Sequence, residues 1–293
     1  QKDYLMTLLN VKVVSTVYSQ RGADLVTPFV HMMRNAMALT KDWSHLVSEK
    51  FVVISDSTLP AKPFKTVYEA LSKHGDSDWC SATPMQWASA EIEGQHMALV
   101  KHHQWAVLNR ADAQELALNW RFVPKLLQWN VKLKEGKWAS NHSQVPRSSF
   151  AGGTWYTATD EEAPYAVING AMPVPDHTSM AKQWEFFSKR VCHTYVAFPQ
   201  DVEDMKHAQS AKASLLQLSN QPWAYNQGAV TLPLLEDKES RLVSQSGIWH
   251  PFTMEHLSDA SLITLRRSPF LFARKFSPCA VMPNATAILL TVF

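Results

Sequence analysis

The chain has 293 residues, of which 46% are hydrophobic and 18% charged, so it can bury a large core and is not a disordered segment. Its formal charge of +2, without any basic tract, gives no nucleic-acid footprint. Eleven tryptophans suit stacking on sugars or protein contacts as well as core filling. No apolar run approaches the roughly 18 residues that span a bilayer, and no signal peptide leads the chain. The first residue is Gln1 and not Met, which leads to the expectation that the chain is cut from something longer and that a targeting or anchor segment has been removed.

Residues 11–17, VKVVSTV, read as a strand, and residues 24–39 as an amphipathic helix with Leu25, Phe29, Met32, Met33, Ala36 and Met37 on one side. In FVVISDSTLPAKPF, residues 51–64, the run Phe51 to Ile54 fits a short central strand covered on both faces. Pro60 and Pro63 then stop it, because proline lacks an N–H and restricts its predecessor. Val67, Ala70 and Leu71 recur at helical spacing, which predicts a helix over 66–73. Residues 74–100 carry few regular signals. QWAVL, 104–108, suggests a strand, followed by helical pieces over 112–118 and about 120–129; residues 131–153 read as a polar surface loop.

The cluster Asp160-Glu161-Glu162 stands before Pro164 and an apolar run, where carboxylates favour the positive end of a helix. HTYVAF, 193–198, reads as a strand and 201–218 as a charged helix. A helix ending near Arg266-Arg267 leads through a short apolar run to Arg274-Lys275. With no internal repeat or linker, residues 1–293 read as a single α/β domain, in which ligands sit at the carboxyl ends of strands.

Only nine glycines are present, and neither a dinucleotide fingerprint nor a P-loop. A bound diphosphate would need cations instead: an Arg fork and a Lys point charge such as Arg274-Lys275, a pair that is also common on solvated surfaces. Asp76-Ser77-Asp78 has the spacing of a metal-holding carboxylate pair, but it follows a helix within a polar turn and reads as solvent-facing. Cys80, Cys192 and Cys279 lack metal-ligand spacing, and their odd number leaves at least one thiol outside any internal pair. Asn141-His-Ser143 and Asn284-Ala-Thr286 are acceptor sequons. No nucleophile elbow exists, and adjacent carboxylates such as Asp160, Glu161 and Glu162 make a poor opposed pair for a glycoside hydrolase.

Four segments, in this order, resemble the core-2/I-branching β-1,6-N-acetylglucosaminyltransferase family and its xylosyl- and glucuronosyltransferase relatives. They are FVVISDSTLPAKPF at 51–64, VKHHQWAVLNRADAQEL at 100–116, TATDEEAPYAVI at 157–168 and SPFLFARKF at 268–276. The second matches a Lys-Gly-Ser-Gln-Trp strand, the third a Pro-Asp-Glu element before an aromatic-containing helix, and the fourth a Leu-Phe-Ala-Arg-Lys-Phe signature nearly letter for letter. Departures are Thr159 in place of proline and His102-His103 in place of Gly-Ser.

The resemblance implies a GT-A type, Rossmann-like glycosyltransferase domain that works without divalent metal. It implies inverting transfer of a sugar, GlcNAc first and xylose or glucuronic acid as alternatives, from a UDP-sugar to a glycan or glycoprotein hydroxyl. It further implies Glu161 as general base, with Glu162 as a second candidate, and Arg274, Lys275 and His250 at the donor diphosphate. Asp56 and Ser57 fall in a donor-side loop, and Lys101, Gln104 and Trp105 on the acceptor-side strand. No cofactor beyond the UDP-sugar co-substrate is expected, and no nucleic-acid partner. The family setting is the Golgi lumen, as type II membrane proteins anchored through a segment absent from this chain. Family members carry an earlier strand and loop around uracil and ribose with no counterpart ahead of VKVVSTV, so the domain is expected to be N-terminally incomplete or to belong to an inactive, carbohydrate-binding relative.

Overall fold

The computed structural model describes residues 12–17, 25–39, 49–81, 88–92, 95–120, 129–134, 137–141, 155–158, 162–169, 172–173, 192–199, 227–245 and 250–291. In chain order the elements are helix α1 (Val26–Leu39), strands β1 (Lys50–Val52) and β2 (Leu59–Pro60), helix α2 (Phe64–Ser72) and strands β3 (Ala88–Ile92), β4 (Gln95–Leu99) and β5 (Val107–Asn109). Helix α3 (Arg110–Asn119), strands β6 (Trp129–Lys134), β7 (Lys137–Asn141) and β8 (Trp155–Ala158), helix α4 (Ala163–Asn169) and strands β9 (Met172–Pro173) and β10 (Thr194–Val196) follow. Helix α5 (Gln227–Glu236), strands β11 (Arg241–Val243) and β12 (Thr253–His256), helix α6 (Asp259–Arg267), strands β13 (Phe272–Arg274) and β14 (Phe276–Val281) and a π-helical turn (Thr286–Leu290) complete the list. Helices thus mix with small mixed or antiparallel sheets, an α/β chain at that level. Among the described residues no helix is long and apolar enough to cross a membrane.

The chain divides into two compact units. One comprises Gln1–Phe51, Ala88–Val100 and Arg110–Pro173, the other Val52–Trp87, Lys101–Asn109 and Val174–Phe293. In the first, α1 packs on α3, and the Arg34 guanidinium donates to the Ala117 and Trp120 carbonyls where α3 ends, supplying donors that a helix C-terminus lacks. The buried Trp120 indole donates to Thr27 Oγ1 at 3.0 Å. Strands β3, β4 and β9 form one antiparallel sheet, and β7, β6 and β8 another.

The second unit is built around β10, β13 and β2. Thr194, Tyr195 and Val196 run parallel to Phe272, Ala273 and Arg274, and Ala273 lies opposite Leu59 on the antiparallel edge. β-Branched and aromatic side chains let all three residues of β10 be buried. Against them sit Leu234 of α5, Met254 of β12, Leu262 and Leu265 of α6, and Phe270. Each such side chain contributes about 1.5–3 kcal/mol by leaving water. Cys80 and Cys192 belong to this core and are joined by a disulfide, leaving Cys279 exposed and free.

Helix α6 shows how polar groups are handled. Ser258 caps it, accepting from the Ser261 N–H at 3.2 Å. Asp237 in turn accepts from the hydroxyls of Ser258, Ser261 (2.6 Å) and Ser240 (3.0 Å) and from the Glu239 N–H (3.0 Å), and these bonds, Ser258's first and Ser261's next, hold its carboxyl well below the usual range. At the other end the Lys62 ammonium donates to the Arg266 and Ser268 carbonyls, and burial, with help from Arg266, lowers its pKa to about 8. Asp237→Asn removes a charged acceptor shared by three hydroxyls, so a loss of about 2 kcal/mol in urea unfolding is expected. An unchanged midpoint would mean the cap does not depend on that charge.

Several expectations need correcting. Residues 12–17 form no strand: only Val14 and Val17 are even half-buried, the other four being exposed. Strand β1 ends at Val52 and is half-buried, with Ile54 53% exposed, so it is not a central strand covered on both faces. Residues 131–153 contain paired strands, because Val131 and Leu133 alternate with polar neighbours at period two. The quiet stretch 74–100 likewise hides the antiparallel pair β3 and β4. Trp129 opens a strand where a helical piece was expected, while 121–128 and the expected helix at 201–218 lie outside the described residues.

Candidate functional site

The loop after β1 is a turn closed by its own hydroxyls. Thr58 N–H donates to the Ser55 carbonyl at 3.1 Å, Ser55 N–H donates to Thr58 Oγ1 at 3.1 Å, and Ser55 Oγ lies 3.0 Å from both Ser57 Oγ and Thr58 Oγ1. Asp56 is left exposed at its tip. The Ser57 carbonyl accepts from Phe276 N–H at 2.9 Å, which fastens this loop to the segment carrying Arg274 and Lys275.

Residues 103–107 are pinned from two sides. His103 N–H donates to the Cys80 carbonyl at 2.8 Å, and Val107 and Asp78 exchange backbone bonds of 3.0 and 2.7 Å. Val53 N–H donates to the Ala106 carbonyl at 3.2 Å. Trp105 is thereby held in place at 9% exposure, and the Arg274 guanidinium carbon lies 3.8 Å from the centre of its ring. That is a close cation–π contact.

Arg274 is largely removed from water, and burial draws its pKa down to about 10 while the Asp56 charge opposes the shift. Its Nε–H is buried without a hydrogen-bond partner. A desolvated cation with an unmet donor is stabilised by negative charge brought close to it. Of the residues singled out in the sequence, Asp56, Trp105 and Arg274 therefore come together, and the Lys101 charge is felt by the neighbouring His103.

The rest are distributed more widely. Lys275 donates to Gln245 Oε1 at 3.4 Å, and its carbonyl accepts from Met254 N–H at 2.8 Å. Gln104 is half-buried beside Trp105 in the chain. His250 is half-buried two residues before Phe252, whose N–H donates to the Ala197 carbonyl at 2.8 Å at the end of β10. Glu161 and Asp160 lie outside the described residues. Glu162 belongs to the first unit, where it is only 5% exposed at the start of α4. Asn284, of the second sequon, is exposed in a turn, its amide donating to Asp259 at 2.8 Å.

Sequence reasoning missed three neighbours of this cluster. Asp78 is not solvent-facing: the turn after α2 folds back to bridge β5, and the Asp78 carboxylate lies 2.9 Å from His193 Nε2. His102 is buried and His103 half-buried with its Nδ1 enclosed, and their pKa values are lowered to about 4 and about 3, chiefly by loss of water. The cations of Arg274 and Lys101 push His103 further in the same direction. A ring nitrogen of His103 and the sulfurs of Cys80 and Cys192 lie within 4.8 Å of one another, but bonded sulfurs have no thiolate to offer a metal. The unusual His-His pair before Gln-Trp was the one legible signal for any of this.

Comparison of the chain with family models, with curated proteins and with solved structures finds no match.

Proposed function

We propose that the chain is an inverting glycosyltransferase of the core-2/I-branching kind, with a GT-A-like donor domain, moving a sugar from a UDP-sugar to a glycan or glycoprotein hydroxyl in β linkage. GlcNAc is the first choice of sugar, xylose and glucuronic acid the next. The observation that carries this reading is Arg274, desolvated, stacked on Trp105 and with a buried donor unused, in the segment that resembles the family's Ala-Arg-Lys-Phe signature.

In the proposed step, Glu161 or Glu162 takes the proton of the acceptor hydroxyl as its oxygen bonds to C1 of the sugar. The bond from C1 to the diphosphate oxygen breaks, and its electron pair leaves with UDP. Arg274 and Lys275 meet that growing charge, the work a divalent ion does in other diphosphate sites. Action in the Golgi lumen belongs to the same reading.

Titration calorimetry of UDP, with chelator and with added magnesium, tests it. The expected result is metal-independent binding that Arg274→Gln weakens about 10- to 100-fold, the value of one or two charge-assisted hydrogen bonds. Glu161→Gln or Glu162→Gln then abolishes transfer while sparing UDP affinity. A native chain without UDP affinity would overturn the proposal in favour of a noncatalytic carbohydrate-binding protein.

A further inference from the structure

We infer that Trp105 is a positioning residue for the Arg274 guanidinium and so belongs to the anion side of the site, not to an acceptor subsite. The inference rests on the proposed UDP-sugar reading for the identity of the anion, and on geometry for the rest.

A guanidinium taken out of water needs something to fix its plane. The usual device is a bidentate carboxylate, which would also neutralise the charge and spoil the group for a ligand. Here the Trp105 face does the fixing at 3.8 Å, and Asp56 acts only as a charge that favours the cation. A ring face attracts the cation without occupying the N–H edge, and Nε–H is buried there without a partner.

Both halves of the contact are rigid. Trp105 sits between the backbone bonds of His103, Ala106 and Val107, and Cys80 Sγ lies 3.9 Å from its carbonyl oxygen. Arg274 ends β13, which is paired on one side to β10 and on the other to β2. Phe272 N–H is further fixed to the His193 carbonyl at 2.9 Å. A contact between two such supports sets an angle, which a stacked, exposed pair would not. With Arg274 over one face and only 9% of the residue exposed, Trp105 leaves an acceptor sugar little ring to stack on.

The experiment is a double-mutant cycle on UDP affinity by calorimetry, with thermal midpoints measured alongside. Trp105→Phe keeps a face for the cation and is expected to bind UDP within about 3-fold of the native chain. Trp105→Leu is expected to lose about 10- to 30-fold, and to cost nothing further once Arg274 is already Gln. A purely structural Trp105 predicts that the Leu variant's loss persists in the Arg274→Gln background and follows the thermal midpoint; that result overturns the inference. So does a Leu variant with native affinity in a chain where Arg274→Gln binds weakly. Absence of UDP binding to the native chain sinks the functional reading itself, and is a separate outcome.

Discussion

Replacing Cys80 and Cys192 together by alanine is expected to lower the unfolding free energy of the second unit by about 4–5 kcal/mol. The two residues are separated by 112 positions, and a cross-link closing a loop of that length removes chain entropy of about that size from the unfolded state. Two cysteine residues buried to 1% exposure in the main core also lose packing when the sulfurs are deleted, which adds to the cost. The measurement is urea unfolding with and without a dithiol reductant. Native protein should show the drop only when reductant is present during unfolding, whereas the double variant should be insensitive to it. Equal midpoints in all four conditions would show that the bond does not constrain the chain.

The same cross-link has a functional consequence. Cys80 lies between the backbone bridges of Asp78 to Val107 and Ser81 to His102, and Cys192 lies two residues ahead of β10. The bond therefore ties the support of Trp105 to the strand that runs beside Arg274. On the proposed reading its loss should weaken UDP binding at Arg274, as well as the fold.

What could be read from residues alone was local. The helix ending at Arg267 was legible because Ser258 and the paired arginines punctuate an apolar stripe, and α1 and α3 follow from helical spacing to within two residues at each end. Helix α2 starts two residues earlier than its spacing suggests, because Pro63 stands at its cap and its carbonyl already accepts from Val67 N–H at 3.0 Å. Strands built from Ala, Ser, Lys and Asn, such as β3 and β7, carry too little β-propensity to be seen. The cluster was half legible: Arg274 and Trp105 were singled out for separate roles, since a sequence 169 positions apart gives no hint that one lies on the other. Asp78, His193 and the disulfide depend on long-range folding of that same kind, so no local pattern announces them.

The remaining large effect concerns pH and comes from His102 and His103, which stand where the resembling family has Gly-Ser. His102 places Nδ1 2.7 Å from the His103 carbonyl and packs its ring edge-on to Trp79, leaving Nε2 buried without a partner. His103 rests against Phe198 with Nδ1 unpartnered, near the charges of Arg274 and Lys101. Neither site has anything to offer a second proton, so both folded-state pKa values lie below that of a free histidine, at about 4 and about 3. The sign follows directly. Below pH 6.5 the unfolded chain gains protons that the folded chain refuses, and stability falls as the pH drops from there towards 4. Each histidine contributes a slope of about 1.4 kcal/mol per pH unit, so between pH 6.5 and 4.5 the pair is expected to cost on the order of 5 kcal/mol. Urea unfolding across that range should show it. His103→Phe keeps a ring against Phe198 and removes one titrating group, and its plot of stability against pH should be shallower than the native one by about half. Parallel plots would mean that His103 is already able to take a proton in the folded state, and that the ground between Arg274 and the disulfide is wetter than its packing implies.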